Sequence, residues 1–186
     1  MKVLIIPEDP RKDQYILKPI FERLFASFAK PNTKVVVCTN PSMRGISDAL
    51  NPARLTEVFE RYPMFDIFVL CVDRDGEITR RQRLDQLEQC FDHLIAVNAW
   101  EELETWVLAG LDLPKEWVWA HIRADISVKE QYFEPLAVRR GVADGPGGGR
   151  KALGDEAARR LIGMRQKCQE DLDHVAQRLA EIAASL

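Results

Sequence analysis

FDIFVLCVDRDGEITRRQ, residues 65–82, decides the fold. Its apolar run, Ile67 to Val72, shows no polar alternation and so reads as a strand buried on both faces, as in a parallel sheet. The run ends abruptly in Asp73-Arg74-Asp75, two carboxylates two residues apart. Residues two apart in an extended strand point the same way, so Asp73 and Asp75 are expected to face one ion together. The competing reading is turn chemistry, because Asp75-Gly76 is a turn signal.

Outward from this segment, strands alternate with helices. Val3–Ile6, closed by Pro7, reads as a first strand, Val35–Cys38 as a second and His93–Val97 as a fourth. Ile16, Leu17, Ile20, Phe21, Leu24, Phe25 and Phe28 recur at helical spacing, with Pro19 inside the pattern to kink the helix or mark its start. Asn51–Arg61 is a helix with Asn51 as cap and Pro52 at its first position. Ile78–Phe91 and Trp100–Leu111 are helical. This order predicts an α/β, Rossmann-like core over 1–112, a parallel four-stranded sheet flanked by helices.

Residues 113–186 read as a helical extension packed on that core as one domain. Ser127–Arg140 looks helical, 141–150 is a glycine-rich flexible loop, and one long straight helix runs from Ala152 to Ala183. Its stripe of Leu153, Ala157, Leu161, Met164, Cys168, Leu172, Val175, Leu179 and Ile182 is expected to pack on the sheet. The alternative is a homodimer or partner interface.

The 186 residues carry a net charge of −3, which neither demands nor forbids nucleic acid. Cys38, Cys71, Cys90 and Cys168 lack metal-pair spacing and read as small core hydrophobes in a reducing compartment. Scattered histidines make zinc improbable. No window approaches the roughly 18 apolar residues of a membrane span, and the N-terminus is too short in apolar residues for a signal-peptide core. The expected location is the cytoplasm.

Ligands of open α/β sheets bind at the carboxyl ends of the strands. The first strand ends in Glu8-Asp9 and the third in Asp73-Arg74-Asp75. Were these strands neighbours, Glu8, Asp73 and Asp75 would converge, and their repulsion would require protons or a cation. Magnesium, with manganese as a substitute, takes one or two protein carboxylates and leaves places for water and phosphate. Glu104 lies within the apolar stripe of its helix, whereas Glu101, Glu102 and Thr105 point away from it. A carboxylate at 104 is costly unless it is salt-bridged or bound to metal, and both readings stand.

Glu8 and Asp73-Arg74-Asp75, in this order, resemble the Toprim family of primases, topoisomerases and nucleases related to OLD proteins. The resemblance is nearest to small stand-alone prokaryotic Toprim nucleases of anti-phage defence, which carry an acidic-aromatic helix similar to Glu101–Trp106. Lys129-Glu130 and Gly149-Arg150-Lys151 also look like segments seen there. It covers about 1–110 well and the remainder loosely. The family usually has Gly after its first Glu, and this chain has Asp9-Pro10. The resemblance implies magnesium-dependent cleavage of DNA or RNA, transfer RNA included, and an ATPase or other defence-system partner. It implies Asp73 and Asp75 as metal ligands, Glu8 as ligand or general base, Glu104 completing a second metal site, and Lys129 neutralising charge on phosphate.

Arg74, Arg80, Arg81, Arg150 and Lys151 are candidate nucleic-acid contacts, a solvated charged face being the plainer reading. Trp117 and Trp119 are read as core packing rather than base stacking. Two rivals remain: a receiver-like phosphotransfer domain, and a non-catalytic, partner-regulated subunit that keeps the acidic pocket.

Overall fold

A computed structural model of the chain describes residues 1–28 and 32–185. β1 (Lys2–Pro7), β2 (Lys34–Val37), β3 (Ile67–Asp73) and β4 (Leu94–Ala99) form one parallel sheet in the order β2-β1-β3-β4. The chain leaves β1 toward β2, then crosses back to the far side of β1 to lay down β3. The direction of winding therefore reverses between β1 and β3, the point at which open α/β sheets take their ligands.

The lack of polar alternation has a direct cause in burial on both sheet faces. Val3, Ile5, Val69, Cys71, Ile95 and Val97 point into one core. Leu4, Ile6, Phe68, Leu70, Val72 and Leu94 point into the other. The second core is closed by α2 (Ile46–Ala49), α3 (Pro52–Arg61) and α4 (Arg80–Cys90). α3 begins as its sequence dictates, with Asn51 Oδ1 accepting the Ala53 N–H at 2.9 Å and Pro52 in the first turn.

The first core is closed by α1 (Pro10–Ser27), α5 (Glu104–Ala109) and the extension. α1 starts at Pro10 and continues through Pro19. Asp9 caps it, its Oδ1 accepting the Arg11 N–H at 3.0 Å, while Asp13 Oδ2 accepts the Asp9 N–H at 2.9 Å. Asp9-Pro10 is thus a helix-starting device. α5 is shorter than the expected Trp100–Leu111.

The extension comprises α6 (Trp119–Ala124), a π-helical turn (Lys129–Phe133), α7 (Glu134–Arg139), α8 (Arg150–Ala158), α9 (Leu161–Lys167) and α10 (Gln169–Ser185). The single long C-terminal helix is therefore corrected to three, broken around Arg160 and at Cys168. No proline marks either break, so tertiary packing imposes them. α8 presses against α1 so closely that a Cβ on Gly154 would lie 2.6 Å from the Tyr15 carbonyl oxygen. A Cβ on Gly110 would lie 2.7 Å from the Ala157 oxygen. α10 instead reaches β4, where Arg178 Nη2 donates to the Leu94 oxygen at 3.3 Å. One straight rod cannot serve both contacts.

The expected stripe is nonetheless buried, Leu153 through Ile182, in the same core as the sheet. α1, α5 and β4 of the same chain cover that face, so the stripe is not an exposed surface. The glycine-rich segment is folded into successive turns and delivers Arg150 into the interior. Cys38, Cys71 and Cys168 are buried, whereas Cys90 is exposed and is not a core residue. Trp117 packs edge-on against Tyr132, their ring centres 5.2 Å apart. No described helix is long and apolar enough to cross a membrane.

Candidate functional site

Register sets the site. Pro7 pairs with Cys71, and Asp73 with Ala99, so the residues after β1, β3 and β4 emerge at one edge of the sheet. There Glu8, Asp13 and Asp73 line a cleft of about 480 Å³ together with Asp9, Arg44 and Gly45. Oε2 of Glu8 is buried and has no hydrogen-bond partner among the described residues. Burial chiefly, and then the charge of Asp75, raise the proton affinity of Glu8, while the N–H of Asp73 works against them. Asp73 Oδ1 accepts the Leu103 N–H at 2.8 Å. Its pKa is nonetheless pushed well above the carboxylate range by burial, then by Glu104, Asp13, Asp75 and Glu8.

Asp13 is the residue that sequence reading missed. Its pKa is pushed up to about 7, mainly by burial and further by Glu104 and Asp9, against the hydrogen bond from Asp9. The available signal was spacing: Asp13 stands three and four residues before Ile16 and Leu17, on the buried ridge of α1. Arg44, at the cleft mouth, is also new, and its guanidinium has no partner among the described residues.

Asp75 departs from expectation. β3 ends at Asp73, and Asp75 lies in a turn with φ of 52°. The two side chains therefore do not share a strand face. Asp75 is exposed, and its carboxylate lies 3.8 Å from Arg80. It reaches the cleft electrostatically, as the largest charge acting on Glu8.

The turn is held by Glu101, which was expected to point away from the core and is instead only 5% exposed. Its carbonyl accepts the N–H groups of Arg74 and Asp75 at 2.8 and 3.1 Å, and its Oε2 accepts that of Gly76 at 2.6 Å. This pairing of a φ of 63° at Glu101 with the Asp-Gly turn is invisible to helical periodicity. Thr105, also expected to face outward, is fully buried.

Glu104 is buried as its position in the stripe requires, and its partner is Arg150. The Arg150 guanidinium also donates to the Gly147 oxygen at 2.7 Å. Lys129 is not among the residues lining the cleft; its Nζ lies 2.7 Å from Glu130, and its N–H donates to Glu102 at 2.6 Å. Arg80 is buried beneath the turn, and Arg81 donates to the Ala96 oxygen at 2.6 Å and to Asp85 at 2.7 Å. Lys151 stays exposed beside Asp155 at 3.1 Å. Arg74 rests on Trp100, its Cζ 4.0 Å from the ring centre.

The cleft thus gathers several carboxylates, with Met43 as its one sulfur among the described residues, and the buried, unpartnered Glu8 oxygen suits a hard cation more than a soft one. Among the described residues, no three acids, cysteines or histidines are arranged to hold a metal ion. A pair of carboxylates completed by water and phosphate suffices for magnesium. No family model, curated protein or solved structure matches the chain.

Proposed function

We propose that the cleft between β1 and β3 is a divalent-cation site for hydrolysing phosphodiester bonds of nucleic acid, DNA or RNA. The observation that carries this reading is the buried, partnerless Oε2 of Glu8 beside Asp73 at the point of strand reversal. Glu8 and Asp73 would hold the ion, with Asp75 adding negative charge from the rim. When bound, magnesium supplies Lewis-acid activation of phosphate and water. Asp13, which burial pushes up to about 7 in the cation-free cleft, lines the same space and would be the proton acceptor there. Arg44 at the mouth offers a free guanidinium to an incoming phosphate. A role as effector of anti-phage defence rests on the resemblance to Toprim nucleases alone.

The test is incubation of supercoiled plasmid and of total RNA with magnesium, manganese or EDTA, alongside calorimetric titration of the cations. The wild type should bind the cation and cut at least one substrate. Asp73→Asn and Glu8→Gln should lose cation binding and at least about 100-fold in cleavage rate. Absence of both binding and cleavage in the wild type overturns the reading.

A second reading, a partner-regulated subunit without its own catalysis, is favoured by a specific observation. Asp73 already accepts the Leu103 N–H and Glu104 is already neutralised by Arg150. Cation binding without cleavage of either substrate supports this reading over the first.

A further inference from the structure

Asp73 and Arg74 are adjacent in the chain and face different spaces. Asp73 lines the acidic cleft, whereas Arg74 lines a separate groove of about 390 Å³ with Ile78, Val97, Asn98, Trp100 and His174. The turn at 73–75 is the partition between them.

The groove's guanidiniums already meet carboxylates, Glu170 and Asp171 meet Arg123, and Glu77 at the rim meets only Thr79 among the described residues. Arg74 Nη1 lies 3.2 Å from Glu101, Arg81 is bound to Asp85, and His174 Nε2 sits 2.9 Å from Glu88. A phosphate arriving here would compete with carboxylates for each guanidinium. The Asp171 carboxylate at its floor is likewise held, by the Trp106 indole N–H at 2.8 Å and the Trp100 N–H at 3.0 Å. Three features remain free to recognise a ligand. The Trp100 ring is covered by two guanidiniums, Arg74 at 4.0 Å and Arg123 at 4.8 Å, and of these Arg74 lines the groove, so the stacking surface is the Arg74 guanidinium backed by the ring. Ile78 is 82% exposed at the rim. The side-chain amide of Asn98 has no partner among the described residues. An amide offers two donors and one acceptor, the complement of a heterocycle edge, and guanidinium and aromatic planes are stacking surfaces for bases.

We propose that this groove binds a nucleobase, stacked on the Trp100–Arg74 wall and read at its edge by Asn98. The base comes either from a free nucleotide or from a single strand whose backbone crosses the acidic cleft. The second source deepens the phosphodiester reading and rests on it; base binding itself does not.

The experiment is done in EDTA, so that cation-dependent chemistry plays no part. Fluorescence anisotropy compares a labelled mixed-sequence hexanucleotide with a hexamer of abasic sites, and calorimetry titrates the four nucleoside monophosphates. The base-bearing strand should bind at least roughly tenfold more tightly than the abasic one. Asn98→Ala should weaken that binding by roughly tenfold with an unchanged melting temperature, since its amide holds nothing in the fold. Trp100→Leu should weaken it further. Binding of the monophosphates identifies free nucleotide as the source, and binding of the hexamer alone identifies the strand. Equal affinity for both hexamers, an unaffected Asn98→Ala, no binding at all, or a preference for N-acetyltyrosinamide as mimic of a partner's aromatic side chain overturns the proposal. Cutting in magnesium without base discrimination sinks the groove alone, and base discrimination without cutting sinks the hydrolysis reading alone.

Discussion

Glu104 and Asp171, in the helical layer, each face a guanidinium; Glu8 and Asp73, at the strand ends, share one cleft with Asp13 of α1. Arg150 neutralises Glu104 inside the core, and Arg123 lies 3.5 Å from Asp171. In the cleft, by contrast, burial chiefly raises the proton affinity of all three, and nearby acids add to it: Asp75 at Glu8, Glu104 and Asp9 at Asp13, and Glu104, Asp13, Asp75 and Glu8 at Asp73. All of these carboxylates are wholly or largely withdrawn from water. A buried acid in direct contact with a cation is part of the scaffold, whereas a cluster that no cation among the described residues touches, with Arg80 and Arg150 acting on it only from a distance, is held in place by the scaffold and destabilises it. The second arrangement persists where a ligand or a proton supplies the missing charge.

Removing a built-in partner is the sharpest way to break this contrast. Arg150→Met leaves the Glu104 charge buried and unpaired, and should destabilise the fold by about 3–5 kcal/mol in urea unfolding. The paired change Arg150→Met with Glu104→Met should recover most of that loss, because no ion then remains in the core. If the double variant is no more stable than the single one, the ion pair is not what holds the glycine-rich turns against α5.

The acids of the cleft should behave in the opposite sense. The folded-state pKa of Asp13, about 7, exceeds the ordinary 3.8, so between these values the folded chain binds more protons than the unfolded one. Stability contributed at Asp13 is therefore greatest at low pH and declines as pH rises from about 4 to about 7, levelling above that. Each tenfold change in proton affinity is about 1.4 kcal/mol, so the rise from 3.8 to about 7 makes the full effect on the order of 4 kcal/mol. Asp13→Asn removes it: the stability difference, variant minus wild type, should grow with pH across this window. Glu102, also raised to about 7 but half-exposed, adds a weaker effect of the same sign. A difference that stays flat from pH 4.5 to 8 would show Asp13 to be compensated like Glu104.

The sheet was legible because a parallel strand declares itself through apolar runs such as Ile67–Val72, whose every residue is buried. Asn51-Pro52 and the burial of Glu104 were legible for the same reason, each following from local spacing. Asp13 obeyed the rule that exposed Glu104, yet the polar string Arg11-Lys12-Asp13-Gln14 masked it. The breaks at Arg160 and Cys168 leave no trace in the stripe's period, because they answer to α1 and β4 rather than to neighbours in sequence. The partners Arg150 for Glu104 and Asp171 for Trp106 lie 46 and 65 residues away, beyond any local pattern.

Asp75 offers the smallest stability effect and the finest distinction. In sequence it mirrors Asp73, but in the fold it is exposed, in a left-handed turn, with one cation 3.8 Å away. Asn tolerates that backbone conformation as well as Asp does. An exposed, loosely spaced ion pair contributes little. Asp75→Asn should therefore shift stability by less than about 0.5 kcal/mol. Its functional effect need not be small, since Asp75 is the largest charge acting on Glu8. Neutralising it should lower the proton affinity of Glu8 and weaken magnesium binding in the same calorimetric titration, with the melting temperature unmoved. A variant that binds magnesium as the wild type does would confine the cation to Glu8 and Asp73 and leave Asp75 to the turn.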